Sequence, residues 1–199
     1  GRRREPDRAY FFGKMKIRLI QKAIDILRNK KANAYIRGKH TCVDKSSVID
    51  SHCEIGDYTS VGRDVDITRA KIGRYCSIAS HVRIGQGEHN LDEVSTSTLL
   101  SYRGYHDLTQ KDCIIKNDVW IGVNAVIRRG VTVGNGAVVG ANSFVNKDVP
   151  DFAVVGGCPA RIIKFRFDEE TQKRIIASAY WDYAPEDAKK IIDTLDINH

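Results

Sequence analysis

The sequence predicts an all-β core: a parallel β-solenoid of triangular section, preceded by a helix, interrupted by one extruded loop and followed by helices. Three observations predict it. An aliphatic residue returns every six positions from Val43 through Ile49, Ile55, Val61 and Ile67, and again from Ile115 through Ile121, Ile127, Val133, Val139 and Val145. Glycine often follows it, as at Gly56, Gly62, Gly73, Gly122, Gly134 and Gly140. The fourth residue after it is small or β-branched, as at Cys53, Thr59, Val65, Cys76, Val82, Ala125, Ala137 and Ser143. A helix needs apolar residues three or four apart and a half-buried strand needs them two apart. A sustained period of six therefore requires short strands that turn a corner and start again. Three such sides make one coil of about eighteen residues whose aliphatic side chains fill the axis.

Composition sets the outer limits. A chain of 199 residues is expected to form one domain with a full core. Five cysteines, an odd number with no Cys-x-x-Cys pair, argue for a reducing compartment and against a disulfide framework or a zinc cluster. No stretch approaches the roughly 20 continuous apolar residues of a membrane span, and there is no signal-peptide core, so a cytoplasmic location is expected. The net charge of +7 is unevenly spread. Residues 1–39 hold thirteen Lys and Arg against three acids, and the remainder nineteen against twenty-two. A basic groove with interleaved aromatics, the footprint of nucleic-acid binding, is absent.

Residues 1–38 form the basic N-terminal segment. Ile17, Ile20, Ile24 and Leu27 share one helical face, with Lys14, Arg18, Lys22, Arg28 and Lys30 around the rest. One reading is a helix that caps the open prism or packs on a neighbouring subunit. The other is a basic amphipathic helix in peripheral contact with an anionic membrane leaflet. The solenoid occupies residues 39–167. One hexad, Ile67 to Lys71, has five residues before Ile72 restarts the count, which requires a local corner adjustment.

After Ile84-Gly85-Gln86-Gly87-Glu88-His89 the period stops, and it resumes near Ile115, leaving an inserted loop at 89–113. A long loop expelled from a rigid solenoid is costly to order and is usually functional. At its root His89 stands between Glu88 and Asp92, carboxylates able to orient an imidazole. Further on come Asn117-Asp118-Val119-Trp120-Ile121-Gly122 and Gly156-Gly157-Cys158-Pro159-Ala160-Arg161, where the hexads end.

These repeats and motifs resemble the hexapeptide-repeat acyltransferases, and the His89-Asn90-Leu91-Asp92 loop with its following Ser95-Thr96-Ser97 resembles the xenobiotic and polysaccharide O-acetyltransferase branch. The resemblance covers residues 38–195 and implies a left-handed parallel β-helix, contrary to the usual right-handed crossover. It also implies acetyl-CoA as co-substrate, with no permanently bound cofactor and no metal, and a homotrimer with the active site between subunits. In that branch the histidine of the loop is the general base. Transfer of acetyl from a thioester to a hydroxyl needs the alcohol proton removed as oxygen attacks, and a neutral imidazole can accept it and return it to the leaving thiolate. Glu88 or Asp92 would orient His89, and Asn90 would contact the acceptor along with Gln86 and Ser95. With no Gly-x-Ser-x-Gly nucleophile present, direct attack in a ternary complex is expected.

The donor site follows by the same resemblance. Trp120 would pack beside the histidine and the thioester. Val123 and Ala141, eighteen residues apart and so stacked on successive coils, would offer backbone N–H groups to pantetheine. Lys147, Arg161, Lys164 and Arg166 are the charge complement for the CoA phosphates. His40, His52 and His81 are expected at the surface, and His106, within the loop, is the alternative acceptor contact. A zinc carbonic anhydrase on the same fold needs three converging histidines, and these spacings do not supply them.

Residues 168–199 form a helical extension. Asp168 caps a helix whose first turn is acidic, and Pro185 opens a second. Trp181 and Tyr183 between them would anchor both on the prism. The acceptor stays open at this point: a sugar hydroxyl of a surface polysaccharide of capsule or O-antigen type, an antibiotic of the streptogramin or chloramphenicol kind, or, by N-acetylation, a nucleotide-linked amino sugar. A non-catalytic β-solenoid scaffold is the reading from another class.

Overall fold

The computed structural model describes residues 35–197, the side chains of Tyr105 and His106 excepted. The amphipathic pattern at Ile17–Leu27 and the contact suggested for His106 lie outside the described residues. Seventeen strands are present among the described residues, all but four of them two residues long, wound into a left-handed parallel β-helix with three flat faces. The first face stacks β1 (Ile36–Arg37), β4 (Glu54–Ile55), β7 (Ala70–Ile72), β10 (Cys113–Ile115) and β13 (Thr132–Val133). The second stacks β2 (Cys42–Val43), β5 (Ser60–Val61), β8 (Ser77–Ile78), β11 (Trp120–Ile121), β14 (Val138–Val139) and β16 (Ala153–Gly157). The third stacks β3 (Val48–Ile49), β6 (Asp66–Ile67), β9 (Arg83–Ile84), β12 (Val126–Ile127) and β15 (Phe144–Val145).

The period explains the packing. Two residues of each hexad point to the axis: the aliphatic, as at Ile49, Ile67, Ile84, Ile121 and Ile127, and the small residue two before the next one, as at Cys53, Val65, Cys76, Val82, Ala125 and Ala137. All of these are buried, and they form one continuous core. The second position is small because it sits where two faces converge and the section narrows. Where it is polar, its hydroxyl bridges coils: Thr59 Oγ1 donates to Gly73 O at 2.9 Å and accepts from Cys76 N at 3.0 Å.

Corners turn at the third residue after the aliphatic. His40, Tyr58, Asp64, Tyr75, His81, Asp118, Asn124, Asn142 and Phe152 occupy the left-handed region there, with φ between 53° and 62°. A non-glycine residue in that region costs on the order of 1 kcal/mol, and the stack offsets it. The N–H of seven of these residues donates to a carbonyl one coil below, as Tyr58 N to Lys39 O, Asp118 N to Arg74 O and Asn142 N to Val123 O, while Asp64 N donates to Ser46 Oγ. The short hexad is absorbed at β7, where Lys71 pairs with Glu54 and Ile72 with Ile55, so the ladder stays in register.

The loop leaves the corner between the third and first faces. Lys71 pairs with Ile114, so the ladder closes across the insertion without a gap. Cys113 is fully buried in β10 opposite Ala70, which ends the loop one residue before the boundary expected from sequence. Within it the described backbone holds one short helix, α1 (Tyr105–Leu108).

After β16 the chain reverses into β17 (Ala160–Phe165), an antiparallel strand that the six-residue period does not predict. α2 (Glu169–Ser178) then starts at Asp168, whose carboxylate accepts from Thr171 N at 2.8 Å; that hydrogen bond holds Asp168 below the usual carboxylate range. α3 (Pro185–Thr194) begins at its proline. Trp181 is buried with Phe152 and Ile175 in a second small core. Tyr183 is anchored by its backbone instead of its ring: the ring is half exposed, and its carbonyl accepts from Tyr75 Oη at 2.7 Å. No helix among the described residues is long and apolar enough to cross a membrane.

Candidate functional site

The loop is tied down at its roots by arginines. Arg129, two residues past the core residue Ile127, is buried, with no carboxylate partner among the described residues. Its guanidinium donates to Gln86 O at 3.2 Å, Thr109 O at 3.0 Å, Lys111 O at 3.1 Å, Thr68 Oγ1 at 2.7 Å and Gly85 O. One side chain therefore holds the outgoing strand and the returning stem together. Carbonyl dipoles stand in for the missing counter-charge. Arg128 pairs with Glu88 (Nε to Oε1 3.0 Å), and Arg69 with Asp112 (3.4 Å). Gly85, at φ +66°, makes the exit turn, and a side chain there would collide with Thr68 O.

His89 stands exposed just beyond this clamp. Its Nδ1 lies 2.7 Å from Thr96 O. A carbonyl only accepts, so Nδ1 carries the proton and Nε2 of the neutral ring keeps its lone pair. The orienting group is thus a main-chain carbonyl further along the loop. Glu88, expected to orient the ring, is engaged with Arg128 instead. Asp92 is exposed, with its N–H donating to Asn90 Oδ1 at 3.1 Å. Asn90 is buried, and its amide donates to Glu93 Oε1 at 2.7 Å, while Glu93 Oε2 accepts from Tyr102 N at 3.2 Å. This Asn90–Glu93 strap folds the loop on itself and sets the path that carries Thr96 back to His89. His89, Asn90, Asp92, Arg103, Lys111 and Lys147 line a cleft of about 610 Å³ at the corner between the third and first faces.

Val123 and Ala141 stack on the corner between the second and third faces. At the neighbouring corner, between the first and second faces, side chains one coil above take the equivalent N–H groups. Lys39 N donates to Asp57 Oδ1, Arg74 N to Asn117 Oδ1 and Asn135 N to Asp151 Oδ1. Above Val123 stands Ala141, and above Ala141 stands a glycine, so no such acceptor exists. Among the described residues neither N–H has a partner. Gly122 lets the coils approach: a Cβ there would lie 2.6 Å from Ala141 N. The two donors form an open, parallel pair on an exposed edge. Ser80 N, one coil below, is free in the same way and was not singled out from sequence. The signal that could have found it is the missing polar side chain one coil higher. Trp120, three residues before Val123, is 56% exposed on the second face.

The four expected phosphate-binding cations do not gather in one place. Lys147 shares the cleft of His89. Arg161 and Lys164 are exposed on β17, with Arg161 paired to Gly156 near the corner of Val123 and Ala141. Arg166 is committed elsewhere: it donates to Gly136 O at 2.7 Å, lies 3.7 Å from Asp118 and stacks on Phe167. His89 and the free N–H pair also lie on different corners, at opposite edges of the third face. One hexad crosses that face, a span on the order of 15–20 Å. A single chain therefore does not bring Trp120, Val123 and Ala141 to its own His89. His40, His52 and His81 are exposed, as expected.

Comparison with known proteins bears on the family and the fold. The family described as bacterial transferase hexapeptide (six repeats) matches residues 112–147. A chloramphenicol acetyltransferase of Agrobacterium fabrum (strain C58 / ATCC 33970) is 36% identical over 139 residues, covering 63% of this chain and 66% of its own length. The chain thus spans about two thirds of that relative. A hexapeptide-repeat-containing acetyltransferase of Vibrio cholerae O1 biovar eltor, solved with acetyl coenzyme A, is 31% identical with a TM-score of 0.57, covering 74% of this chain and 79% of its own. A galactoside acetyltransferase solved with coenzyme A is 26% identical with a TM-score of 0.53, covering 67% of this chain and 66% of its own.

Proposed function

Because the chain belongs to the hexapeptide-repeat acetyltransferases, we propose that it carries acetyl from acetyl-CoA to a sugar hydroxyl of a surface-polysaccharide acceptor, with His89 as general base. The observation that carries this reading is the Nδ1–Thr96 O hydrogen bond, which leaves Nε2 as the proton acceptor beside a cleft. Nε2 takes the hydroxyl proton as the acceptor oxygen attacks the thioester carbonyl. The tetrahedral intermediate then expels the thiolate, and the imidazolium returns the proton to sulfur. Ser80, Val123 and Ala141 offer free backbone N–H groups to the amides of pantetheine, Trp120 flanks them, and Arg161 and Lys164 face the phosphates. Gln86, Asn90 and Asp92 supply polar contacts for a sugar, and the galactoside acetyltransferase shares both fold and sequence with this chain.

The corner separation supports a site shared between copies in a homotrimer. The loop supports it as well: Leu91, Val94, Leu99, Leu100 and Tyr102 are each at least 70% exposed in the single chain, more apolar surface than an isolated loop ordinarily keeps wet. The basic segment before residue 35 fits work near an anionic membrane from the cytoplasmic side.

The second reading, acetylation of an antibiotic of chloramphenicol type, is favoured by the 36% identity to the Agrobacterium enzyme. Initial rates of thiol release from acetyl-CoA with a panel of sugars, chloramphenicol and a streptogramin decide between the two. Release driven by sugars alone supports the first reading. Release driven by chloramphenicol alone replaces it with the second, and CoA binding without release to any acceptor removes both.

A further inference from the structure

We propose that Ser95 is a positioning residue for His89: its hydroxyl pins the peptide unit between Thr96 and Ser97, and the carbonyl of that unit sets which imidazole nitrogen carries the proton. This role rests on His89 being the base, and it adds the group that keeps the base oriented.

The exposed ring of His89 has one hydrogen bond among the described residues, from Nδ1 to Thr96 O at 2.7 Å. A carbonyl points only where its peptide plane points. The Thr96–Ser97 bond is trans, because the one cis bond among the described residues precedes Pro159. In a trans unit the C=O and the N–H project to opposite sides. Here Ser97 N donates to Ser95 Oγ at 3.1 Å, on the side away from the ring. Two hydrogen bonds thus hold one rigid plate by both edges. Thr96 O cannot swing off Nδ1 unless Ser97 N leaves Ser95. A serine hydroxyl suits the task, since it reaches the N–H two residues on.

The rest of the segment is closed about this plate. Ser97 O accepts from Leu100 N at 3.0 Å, and Ser97 Oγ accepts from Leu99 N at 3.3 Å. At the neck, the Glu93 carboxylate accepts from Asn90 Nδ2 at 2.7 Å and from Tyr102 N at 3.2 Å, so residues 94–101 form a closed loop. Burial raises the Glu93 carboxyl, but hydrogen bonds from Asn90, Ser101 and the N–H groups of Tyr102 and Arg103 outweigh it and hold the group below the usual carboxylate range. The neck therefore stays ionised and shut at neutral pH. Ser95 does not line the cleft, whose wall includes His89, Asn90 and Asp92. The acceptor contact expected of it from sequence is replaced by a backbone contact. An imidazole released from Thr96 O turns freely and carries its proton on either nitrogen. The fraction with a protonated Nε2 cannot take the proton of a hydroxyl.

Nitrogen-15 NMR of the full chain with labelled histidine, the His89 signals assigned from H89A, reads the tautomer directly. The unmodified protein is expected to show Nδ1–H and a bare Nε2 at His89, and S95A a mixture of both tautomers. Thiol release from acetyl-CoA is followed with the fastest acceptor of the sugar and chloramphenicol panel. S95A is expected to lower kcat about three- to tenfold, the weight of one neutral hydrogen bond, with Tm and KM for acetyl-CoA nearly unchanged. S95T keeps an accepting oxygen and is expected to retain both the tautomer and the turnover. An unchanged tautomer in S95A overturns the proposal, and a rise in the acceptor's KM in that variant returns Ser95 to the acceptor site. Equal losses in S95A and S95T overturn it too, because the accepting oxygen is then not what matters. A shifted tautomer with turnover untouched keeps the pin and removes His89 as the base, which separates the failure of one reading from the failure of the other.

Discussion

Replacing Arg129 by Met tests whether the loop, and with it His89, is held by one buried guanidinium. The substitution keeps an unbranched stem of similar reach and removes all five hydrogen bonds. A hydrogen bond to a charged group contributes about 1.5–3 kcal/mol, so the gross loss is on the order of 10 kcal/mol. Two terms offset it. The buried charge no longer has to be desolvated, which returns several kcal/mol, and the freed carbonyls of Gln86, Thr109 and Lys111 regain water once the stems part. Gly85 O stays enclosed beneath the loop with the Thr68 hydroxyl as its remaining donor. A net loss of about 3 kcal/mol remains, equivalent to roughly 6–12 °C of Tm in a chain of this size. Differential scanning fluorimetry reads the Tm, and limited trypsin digestion reads opening of the loop at Arg103. Turnover should fall at least tenfold, because His89 lies three residues beyond Gln86, while CoA binding at the far corner of the prism is retained. A variant with unchanged Tm, Arg103 cut no faster and full turnover would refute the clamp.

His89→Ala is expected to lower kcat by about 10² to 10⁴, the usual contribution of general acid–base catalysis, with CoA affinity measured by calorimetry nearly unchanged. Arg161→Ala should raise KM for acetyl-CoA severalfold and leave Tm in place, whereas Arg166→Ala, which loses Gly136 O, Asp118 and Phe167, should lower Tm with little change in that KM; the reverse pattern would return Arg166 to the donor site. Burial pushes the Cys53 and Cys76 thiols up to about 12, so a thiol reagent at pH 8 should modify exposed Cys42 and Cys158 quickly and spare Cys53, Cys76 and buried Cys113 until the chain unfolds; fast modification of all five would contradict the packed axis.

The prism was legible because its period is a property of backbone geometry. Every sixth residue must reach the axis, so Ile49 to Val145 announce the fold, its corners and its core. Asp168 and Pro185 were legible for a similar reason, since helix starts use local chemistry. The orienter of His89 was not, because Thr96 acts through its carbonyl, which every residue carries. Arg129 was hidden differently. It stands at a corner position where the equivalent residues are exposed or half-buried, and its burial depends on stems that close only in three dimensions. The scattering of Lys147, Arg161, Lys164 and Arg166 could have been anticipated in part. Lys147 lies two residues after Val145, one face on from the column of Val123 and Ala141, so counting faces alone separates them. β17 escaped because it reverses direction after Gly157 and abandons the period that revealed everything before it.

A single chain leaves its parts unfinished in a complementary way. One corner offers His89 and a polar cleft, the next offers free N–H donors beside an exposed tryptophan, and a rigid face of about 15–20 Å keeps them apart. No loop motion removes that gap while Arg129 and the Glu88–Arg128 pair hold the roots. In the proposed homotrimer, rotation about a threefold axis brings the His89 corner of one copy to the Val123–Ala141 corner of the next, and a closed ring repeats the contact without an open edge. The consequence is measurable with two inactive proteins. His89→Ala lacks the base but keeps its donor corner. Ala141→Trp keeps the base but blocks the slot, and the exposure of Ala141 lets the fold accept the larger side chain. Unfolded together in equal amounts and refolded, they form mixed rings. A junction works only where an intact His89 meets an intact Ala141, which random mixing in a closed cyclic ring makes about one in four. Activity near a quarter of the unmodified level is therefore expected. If base and donor slot belonged to the same chain, every chain in the mixture would carry a defect and the mixture would stay as inactive as its parts.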